Sequence, residues 1–138
     1  MEDQNKKIEE KYVLLQLLDA QIKEVEKELS ALEMKNQELI KLKESFDNLS
    51  QLKEGSASYS SISPGVYVKS SIADSKNVLV NIGAGVIVKK SIPDAKAMVD
   101  MQLTQLASVT TQLAQNLQAL ANRANEIQKD IQELVVEK

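Results

Sequence analysis

Cysteine, histidine and tryptophan are absent from this 138-residue chain, which removes several classes of chemistry. Without cysteine there is no thiol nucleophile and no disulfide, and without cysteine and histidine there is no zinc site of the usual type. The commonest general acid–base side chain is missing as well. We therefore expect a protein that is not an enzyme and that uses no metal and no cofactor.

Long apolar runs are missing too. No stretch approaches the roughly 20 apolar residues of a membrane-spanning helix, and no apolar segment follows a basic N-terminal region as in a secretory signal. The sequence therefore predicts no membrane association, and the absence of cysteine is compatible with a reducing cytoplasm. The 2 prolines and 4 glycines are few, and all of them lie between residues 55 and 93.

Two long segments carry apolar residues at gaps of three, four or their sums, which is the spacing of a coiled-coil seam. The first covers about residues 5–53, and the second starts near Pro93, a residue that suits the first turn of a helix. After Leu39 the spacing shifts to Leu42 and Phe46, which indicates local overwinding of the coil. A two-helix seam gives one copy no ordinary core, so we expect oligomers.

A polar residue interrupts each seam, and the two interruptions predict an antiparallel register. Asn36 lies in the first seam and Thr110 in the second. If they face each other, they can hydrogen-bond and set the alignment of the helices. This alignment places three further pairs opposite one another: Leu29 with Leu117, Ile22 with Ala124 and Leu15 with Ile131.

Residues 55–92 alternate as β-strands do. We predict two hairpins, with strands at about residues 58–62, 66–72, 77–82 and 86–91 and tight turns at Pro64-Gly65 and Gly83-Ala84-Gly85. A four-stranded sheet of this kind would be apolar on both faces and open at its edges, so we do not expect it to be stable alone. Copies should join edge to edge and close into barrels.

The charge of the chain is unevenly distributed. Residues 1–54 carry −4, residues 55–92 carry +3 and residues 93–138 carry −2. Acidic helices argue against binding to nucleic acid phosphates. The four lysines of the middle fit solvated strand edges, where lysine also blocks stray pairing, better than a nucleic acid site. We therefore expect no nucleic acid partner.

Two local patterns in the middle suggest chemistry but are better explained by structure. The G-x-G of Asn81–Gly85 is followed by an apolar strand rather than by the helix and third glycine of a dinucleotide fingerprint, so it is interpreted as a hairpin turn. Eight serines crowd residues 56–75. A serine nucleophile needs a base, and without histidine only a Ser–Lys pair stays open as an alternative to serines in a turn-rich sheet.

Apolar residues near both chain ends exceed what a seam needs. Of residues 12–18, a two-stranded seam uses only Leu15 and Leu18. Apolar side chains outside a seam, at the free end of a coil, mark a contact surface for other polypeptides. Bundling of helices at this end, or a fold-back, is the alternative. The residues of the expected surface are Tyr12, Val13, Leu14, Leu17, Leu134, Val135 and Val136.

The order of helix, two hairpins and helix resembles the alpha class of prefoldin subunits across the whole chain. The most specific match is residues 77–90, a strand, a G-x-G turn and an apolar strand ending in Lys89-Lys90, followed by Ser91-Ile92-Pro93-Asp94-Ala95. Residues 63–68, Ser-Pro-Gly-Val-Tyr-Val, are similar to the family's first hairpin turn. The short acidic tail is more typical of an archaeal member.

This resemblance implies an α+β fold, a long antiparallel two-helix coiled coil with two central β-hairpins that join an intersubunit β-barrel. It divides the chain into an N-terminal coiled-coil helix (1–54), an assembly module (55–92) and a C-terminal coiled-coil helix (93–138). The residues expected to join subunits are Val66, Val68, Val78, Val80, Val86 and Val88.

The resemblance also implies a function and partners. A hexamer of two alpha and four beta subunits would hold unfolded polypeptides at its coiled-coil tips without ATP and pass them to a group II chaperonin. The residues expected to bind clients are those of the surface at the chain ends. A filament-forming protein and a scaffolding coiled coil are the alternatives.

Overall fold

The computed structural model describes residues 2–136, which form two long helices separated by four strands. The elements in chain order are α1 (Glu2–Ser50), β1 (Ala57–Ser63), β2 (Val66–Ser71), β3 (Asn77–Gly83), β4 (Val86–Ser91) and α2 (Ile92–Val136). This order and the two hairpins are as predicted, with α1 beginning and ending three residues earlier than expected.

The chain divides into two compact units, each of which contains part of both helices. The terminal unit comprises Met1–Lys35 and Gln105–Lys138, and the hairpin unit comprises Asn36–Thr104. Because Asn36 and Thr110 fall in different units, their pairing stays a prediction.

The terminal unit is an antiparallel pair of helix segments around a small apolar core. Leu18, Ala124, Ile127 and Ile131 are buried together, and Leu14, Leu15, Ile22 and Leu120 pack against them. Leu15 and Ile131, which the sequence predicts to face each other, both contribute to this core. Polar contacts also cross the seam: the Lys11 ammonium lies 3.1 Å from an Asp130 carboxylate oxygen, and Gln4 Nε2 donates to the carbonyl of Leu134 at 2.7 Å.

The hairpin unit has its own core where α1 approaches the start of α2. Its buried side chains are Leu39, Phe46, Ile92, Ala95 and Val99. Leu39 and Phe46 are one heptad apart, whereas Leu42 is 39% exposed. The predicted overwinding at Leu42 is therefore wrong, because the seam passes from Leu39 to Phe46 at ordinary heptad spacing.

The first turn of α2 is capped by its own sequence. Ser91 Oγ accepts a hydrogen bond from the Asp94 N–H at 3.2 Å, which satisfies one of the unpaired donors of a helix start. Pro93 lies in the same turn, where its missing N–H costs no intrahelical bond. The Asp94 carboxylate also lies near the positive end of the helix dipole.

The four strands form two separate antiparallel pairs, β1 with β2 and β3 with β4, rather than one four-stranded sheet. Each pair carries a bulge one residue before the turn, at Ile62 and Ile82. In the second turn Ala84 and Gly85 both have left-handed φ, 51° and 76°, which is the backbone of a type I′ hairpin turn.

The two hairpins are a tandem repeat with an offset of 20 residues. The sequence Gly-Val-x-Val-Lys-x-Ser-Ile occurs at residues 65–72 and again at 85–92. The pairing follows the same offset, since Ser60 faces Val68 in the first hairpin and Val80 faces Val88 in the second. The backbone hydrogen bonds at the open ends of the two hairpins also correspond: Ile72 N–H donates to the Ser56 carbonyl and Ile92 N–H to the Lys76 carbonyl, both at 2.9 Å.

Candidate functional site

An exposed apolar surface lies on α1 in the terminal unit. Tyr12, Val13 and Leu17 are 51%, 57% and 57% exposed, and we call these three residues the α1 patch. Val13 and Leu17 are four positions apart and therefore share one face of the helix. Leu18, only 3% exposed, is 100° further round the helix and fills the seam. The patch therefore points away from the partner helix and is not needed for pairing.

The other residues of the predicted client surface are divided between seam and solvent. Leu14 packs against the buried cluster, and Leu134 is half-buried, so both contribute to the terminal unit itself. Val135 and Val136 are 52% and 82% exposed at the end of α2.

The two exposed groups lie on different helices of the terminal unit, the α1 patch on α1 and the Val135–Val136 pair at the end of α2. Both are apolar and open to solvent. The structure thus presents apolar side chains outside the seam on both helices of this unit.

The faces of the hairpins follow from their registers. Residues opposite one another in an antiparallel pair lie on the same face, so Val80 and Val88 share a face with Val78, which is two residues before Val80. These three valines are half-buried. At the equivalent positions the first hairpin carries Ser58, Ser60 and Val68, and the Ser60 hydroxyl lies 2.8 Å from that of Ser70.

The other three predicted assembly valines, Val66, Val68 and Val86, lie on this same face of their hairpins and are 48%, 42% and 50% exposed. The opposite faces of the hairpins are still more exposed. The predicted assembly residues did not include the larger apolar side chains on these opposite faces, although these side chains alternate with the valines in the sequence. These are Tyr59 (69%), Tyr67 (63%), Leu79 (74%) and Ile87 (61%).

The strand edges add polar groups to these apolar faces. A strand in a two-stranded pair uses only one row of its backbone N–H and C=O groups, so the outer row is unpaired. Within residues 2–136, no strand of one hairpin pairs with a strand of the other. Each hairpin therefore offers two edges as well as two partly apolar faces.

An aspartate organises the link between the hairpins. Asp74 accepts hydrogen bonds from the N–H groups of Lys76 at 2.8 Å and Asn77 at 3.2 Å, and its second oxygen accepts from Asn77 Nδ2 at 3.1 Å. These bonds, above all that from Lys76, stabilise the carboxylate and lower the pKa of Asp74. The same bonds hold Asn77, the first residue of β3, close to Asp74.

An open groove of about 810 Å³ lies in the hairpin unit, between the end of α1, the start of β3 and the start of α2. Its walls include Ser75, which is buried, and the ion pair between Lys96 and Asp47. A second ion pair, between Lys43 and Asp100, joins the helices beside it. The lining is of mixed polarity.

Within residues 2–136, neither α1 nor α2 has an apolar stretch long enough to cross a bilayer.

Comparison with known proteins agrees with this architecture. The family model for a prefoldin subunit matches residues 18–137. The chain belongs to the prefoldin family. It is 25% identical over 131 residues to prefoldin subunit alpha of Methanococcus aeolicus, which covers 95% of this chain and 89% of that protein.

Two solved structures share the fold of this prefoldin chain. A cryo-EM structure of filamentous PFD from Methanocaldococcus jannaschii matches with a TM-score of 0.72 at 17% identity, covering 92% of this chain and 99% of that one. A crystal structure of the prefoldin beta subunit from Thermococcus strain KS-1 matches with a TM-score of 0.61 at 16% identity, covering 92% and 90%.

Membership of the family identifies the chain as a chaperone-type subunit of a multi-subunit complex. Similarity to an archaeal alpha subunit agrees with the alpha class predicted from the two hairpins. The expected fold class is confirmed for the two helices and two hairpins.

Proposed function

We propose that this chain is the alpha subunit of a cytoplasmic prefoldin hexamer of two alpha and four beta subunits. The complex binds unfolded polypeptides at the ends of its coiled coils without ATP and passes them to a group II chaperonin. The α1 patch carries the client-binding part of this proposal, because it is apolar, exposed and not required by the seam.

The size of the patch fits a weak and reversible contact. Full burial of a valine or leucine contributes about 1.5–3 kcal/mol, so covering the exposed 57% of Val13 and of Leu17 contributes about 2–3 kcal/mol together. That alone corresponds to a dissociation constant weaker than about 1 mM. Several arms on one client would multiply the effect through a high effective concentration, which favours a complex with many arms.

The hairpins supply the assembly part of the proposal. An isolated two-stranded hairpin is marginally stable in water, and one with exposed apolar faces and unpaired edges is completed by further strands. Neighbouring subunits can supply those strands and close the sheets into barrels. In this proposal Val66, Val68, Val78, Val80, Val86 and Val88 lie in the contacts between subunits.

The client-binding part is tested by replacing Val13 and Leu17 with serine. We expect the complex of this variant with a beta-class subunit to assemble normally but to suppress aggregation of a denatured test protein far less, without ATP. The change should weaken each arm by about 2 kcal/mol, or roughly 30-fold. Val109→Ser is the matched control, since Val109 is 49% exposed on α2 in the same unit. Equal protection by the double variant and the control would refute the role of the patch.

Open-ended self-assembly is a second candidate, favoured by the tandem repeat. Two hairpins of equal register on one chain can each accept the other hairpin of a further copy, and such a head-to-tail contact continues indefinitely unless it closes. The related structure from Methanocaldococcus jannaschii is described as filamentous. Native mass spectrometry of the chain, with and without a beta-class partner, separates a discrete hexamer from an open series.

A scaffolding role makes a different prediction for the same assay. A scaffold would bind particular folded partners and would leave the aggregation of an unfolded test protein unchanged. Suppression that depends on Val13 and Leu17 would exclude this alternative.

A further inference from the structure

The strands of both hairpins carry lysines but no carboxylates. Lys69 lies in β2, and Lys89 and Lys90 lie in β4. None of the four strands contains aspartate or glutamate. Lys69 and Lys89 are exposed and Lys90 is half-buried, and within residues 2–136 no ion pair involves any of the three. The strands therefore present positive charge that the hairpins themselves do not neutralise.

Carboxylates just outside the strands reduce this charge without cancelling it. Residues 53–94 contain five lysines and three carboxylates, a net charge of +2. Two of the carboxylates, Glu54 and Asp74, precede β1 and β3, and the third lies in the first turn of α2. Hydrogen bonds, that from the Lys76 N–H first, lower the pKa of Asp74, and Lys89 adds a smaller electrostatic effect. Both Asp74 oxygens are already held by those bonds.

The wider hairpin unit does not reverse the sign of the charge. Residues 36–104 contain eight lysines and seven carboxylates. Two of those carboxylates, Asp47 and Asp100, are paired across the helices with Lys96 and Lys43. Within the described part of the chain, the lysines of β2 and β4 therefore have no carboxylate partner.

The outer edges of β2 and β4 are where a carboxylate can come beside these lysines. On the inner side each lysine faces an uncharged residue, Tyr59 for Lys69 and Leu79 for Lys89. On the outer side no strand of residues 2–136 is paired. A strand added there would place its Cβ atoms about 5 Å from those of the lysines, so an aspartate or glutamate on it could pair with the ammonium.

Resting on the proposed function, we propose that the outer edges of β2 and β4 accept strands of a different subunit, and that these strands carry aspartate or glutamate beside Lys69, Lys89 and Lys90. The incoming strand gains main-chain hydrogen bonds along the edge and opposite-charge pairs across it. The same lysines disfavour pairing with a strand that has no carboxylate, so they select the partner.

A second copy of this chain is the wrong occupant for these edges, although its hairpins have a matching register. None of its strands can supply a carboxylate, and pairing β2 or β4 with its own equivalent would bring lysines together, which is destabilising. The carboxylates of a second copy lie in its helices and links. A helix cannot extend a sheet, because its backbone groups are already paired. The charge of the strands therefore favours a mixed complex over open-ended self-assembly.

The expected preference is measurable and depends on salt. An opposite-charge pair across two strands strengthens their association by roughly 1.4- to 5-fold, so three pairs give about 3- to 150-fold. Screening should reduce this preference as salt rises from about 50 to about 500 mM.

The test measures the dissociation constant of the full-length chain and a beta-class subunit by light scattering, at both salt concentrations. Lys69→Glu combined with Lys89→Glu reverses the strand charge while keeping a residue of similar strand propensity. Gln at the same two positions removes the charge and is the milder variant. Lys53→Glu combined with Lys76→Glu is the matched control, because these two exposed lysines of the same unit lie outside the strands.

Binding that weakens in the order Lys, Gln, Glu at 50 mM salt, converges at 500 mM and is unchanged in the control supports the proposal. Equal binding by all variants overturns the selection by charge while leaving the proposed function intact. If the parent chain alone forms an open series as readily as the mixed complex, the selection is also overturned, since strands without carboxylates then suffice. Failure of the parent chain to bind the beta-class subunit at either salt concentration overturns the proposed function itself.

Discussion

The equivalence of the two hairpins allows a matched pair of substitutions, Val80→Lys and Ser60→Lys. The two positions are 20 residues apart in the repeat and occupy the same place in their ladders, opposite Val88 and Val68. Both introduce the same side chain in the same strand geometry. They differ in the neighbour two residues earlier on the same strand, which is Val78 in the second hairpin and Ser58 in the first.

The expected cost of Val80→Lys falls on assembly rather than on the single chain. Val80 is half-buried in the chain itself, so covering the rest of its side chain in an assembly contributes about 1 kcal/mol. An ammonium among the valines adds a desolvation penalty, which its long stem reduces by reaching toward water. A net loss of about 3 kcal/mol per contact corresponds to association that is roughly 150-fold weaker.

The Ser60→Lys control should cost far less, at most about 1 kcal/mol, because it replaces a hydroxyl that lies beside that of Ser70 and removes no apolar side chain. Mass measured by light scattering over a range of concentrations, alone and with a beta-class partner, would show the difference. Circular dichroism should show the same helix content in both variants. If Val80→Lys assembles like the parent, or if Ser60→Lys is the worse of the two, the proposed contact face is wrong.

Two further predictions concern the links and turns of the hairpins. Hydrogen bonds lower the pKa of Asp74 below its ordinary value of 3.8, so the stabilisation that Asp74 gives the link is complete above that value and is lost as pH falls through the lowered pKa. By NMR, the amide signals of Lys76 and Asn77 should shift over the same pH range as the carboxyl of Asp74. A carboxyl that titrates above 3.8 would contradict this prediction. Gly85→Ala should destabilise the second hairpin by about 1 kcal/mol. Gly85 has φ +76° and a new Cβ would meet nothing within 4 Å, so the cost is purely conformational. Ala84→Asn should instead stabilise the hairpin by creating an Asn-Gly type I′ turn, and hydrogen exchange in β3 and β4 should be faster for the Gly85→Ala variant alone.

Most of the secondary structure was predictable because each element carries its own period. Heptad spacing predicts the helices, and Pro64-Gly65 and Gly83-Ala84-Gly85 predict the turns. The bulges at Ile62 and Ile82 were not predictable in this way, since strict alternation carries no signal for an extra residue. The separate pairing of the hairpins was also missed, because local patterns do not specify which edges meet.

The tandem repeat was present in the sequence but hidden by a change in chemistry. Serines in β1 stand where β3 has valines, so alternation of apolar residues is strong in one hairpin and weak in the other. The candidate client surface was predicted as four residues of the first helix and three of the second. Helical geometry divides the first group, because Leu14 turns toward α2 while Val13 and Leu17 turn away.

The α1 patch and the apolar hairpins should differ in how long they hold a partner, because the patch is on a helix and the hairpins are made of strands. In α1 the backbone groups beside the patch are already paired within the helix, so a client can gain only side-chain contacts. At a strand edge a partner gains main-chain hydrogen bonds in addition to apolar burial. The strand edges therefore favour stable interfaces between subunits, and the α1 patch favours contacts weak enough for a client to dissociate.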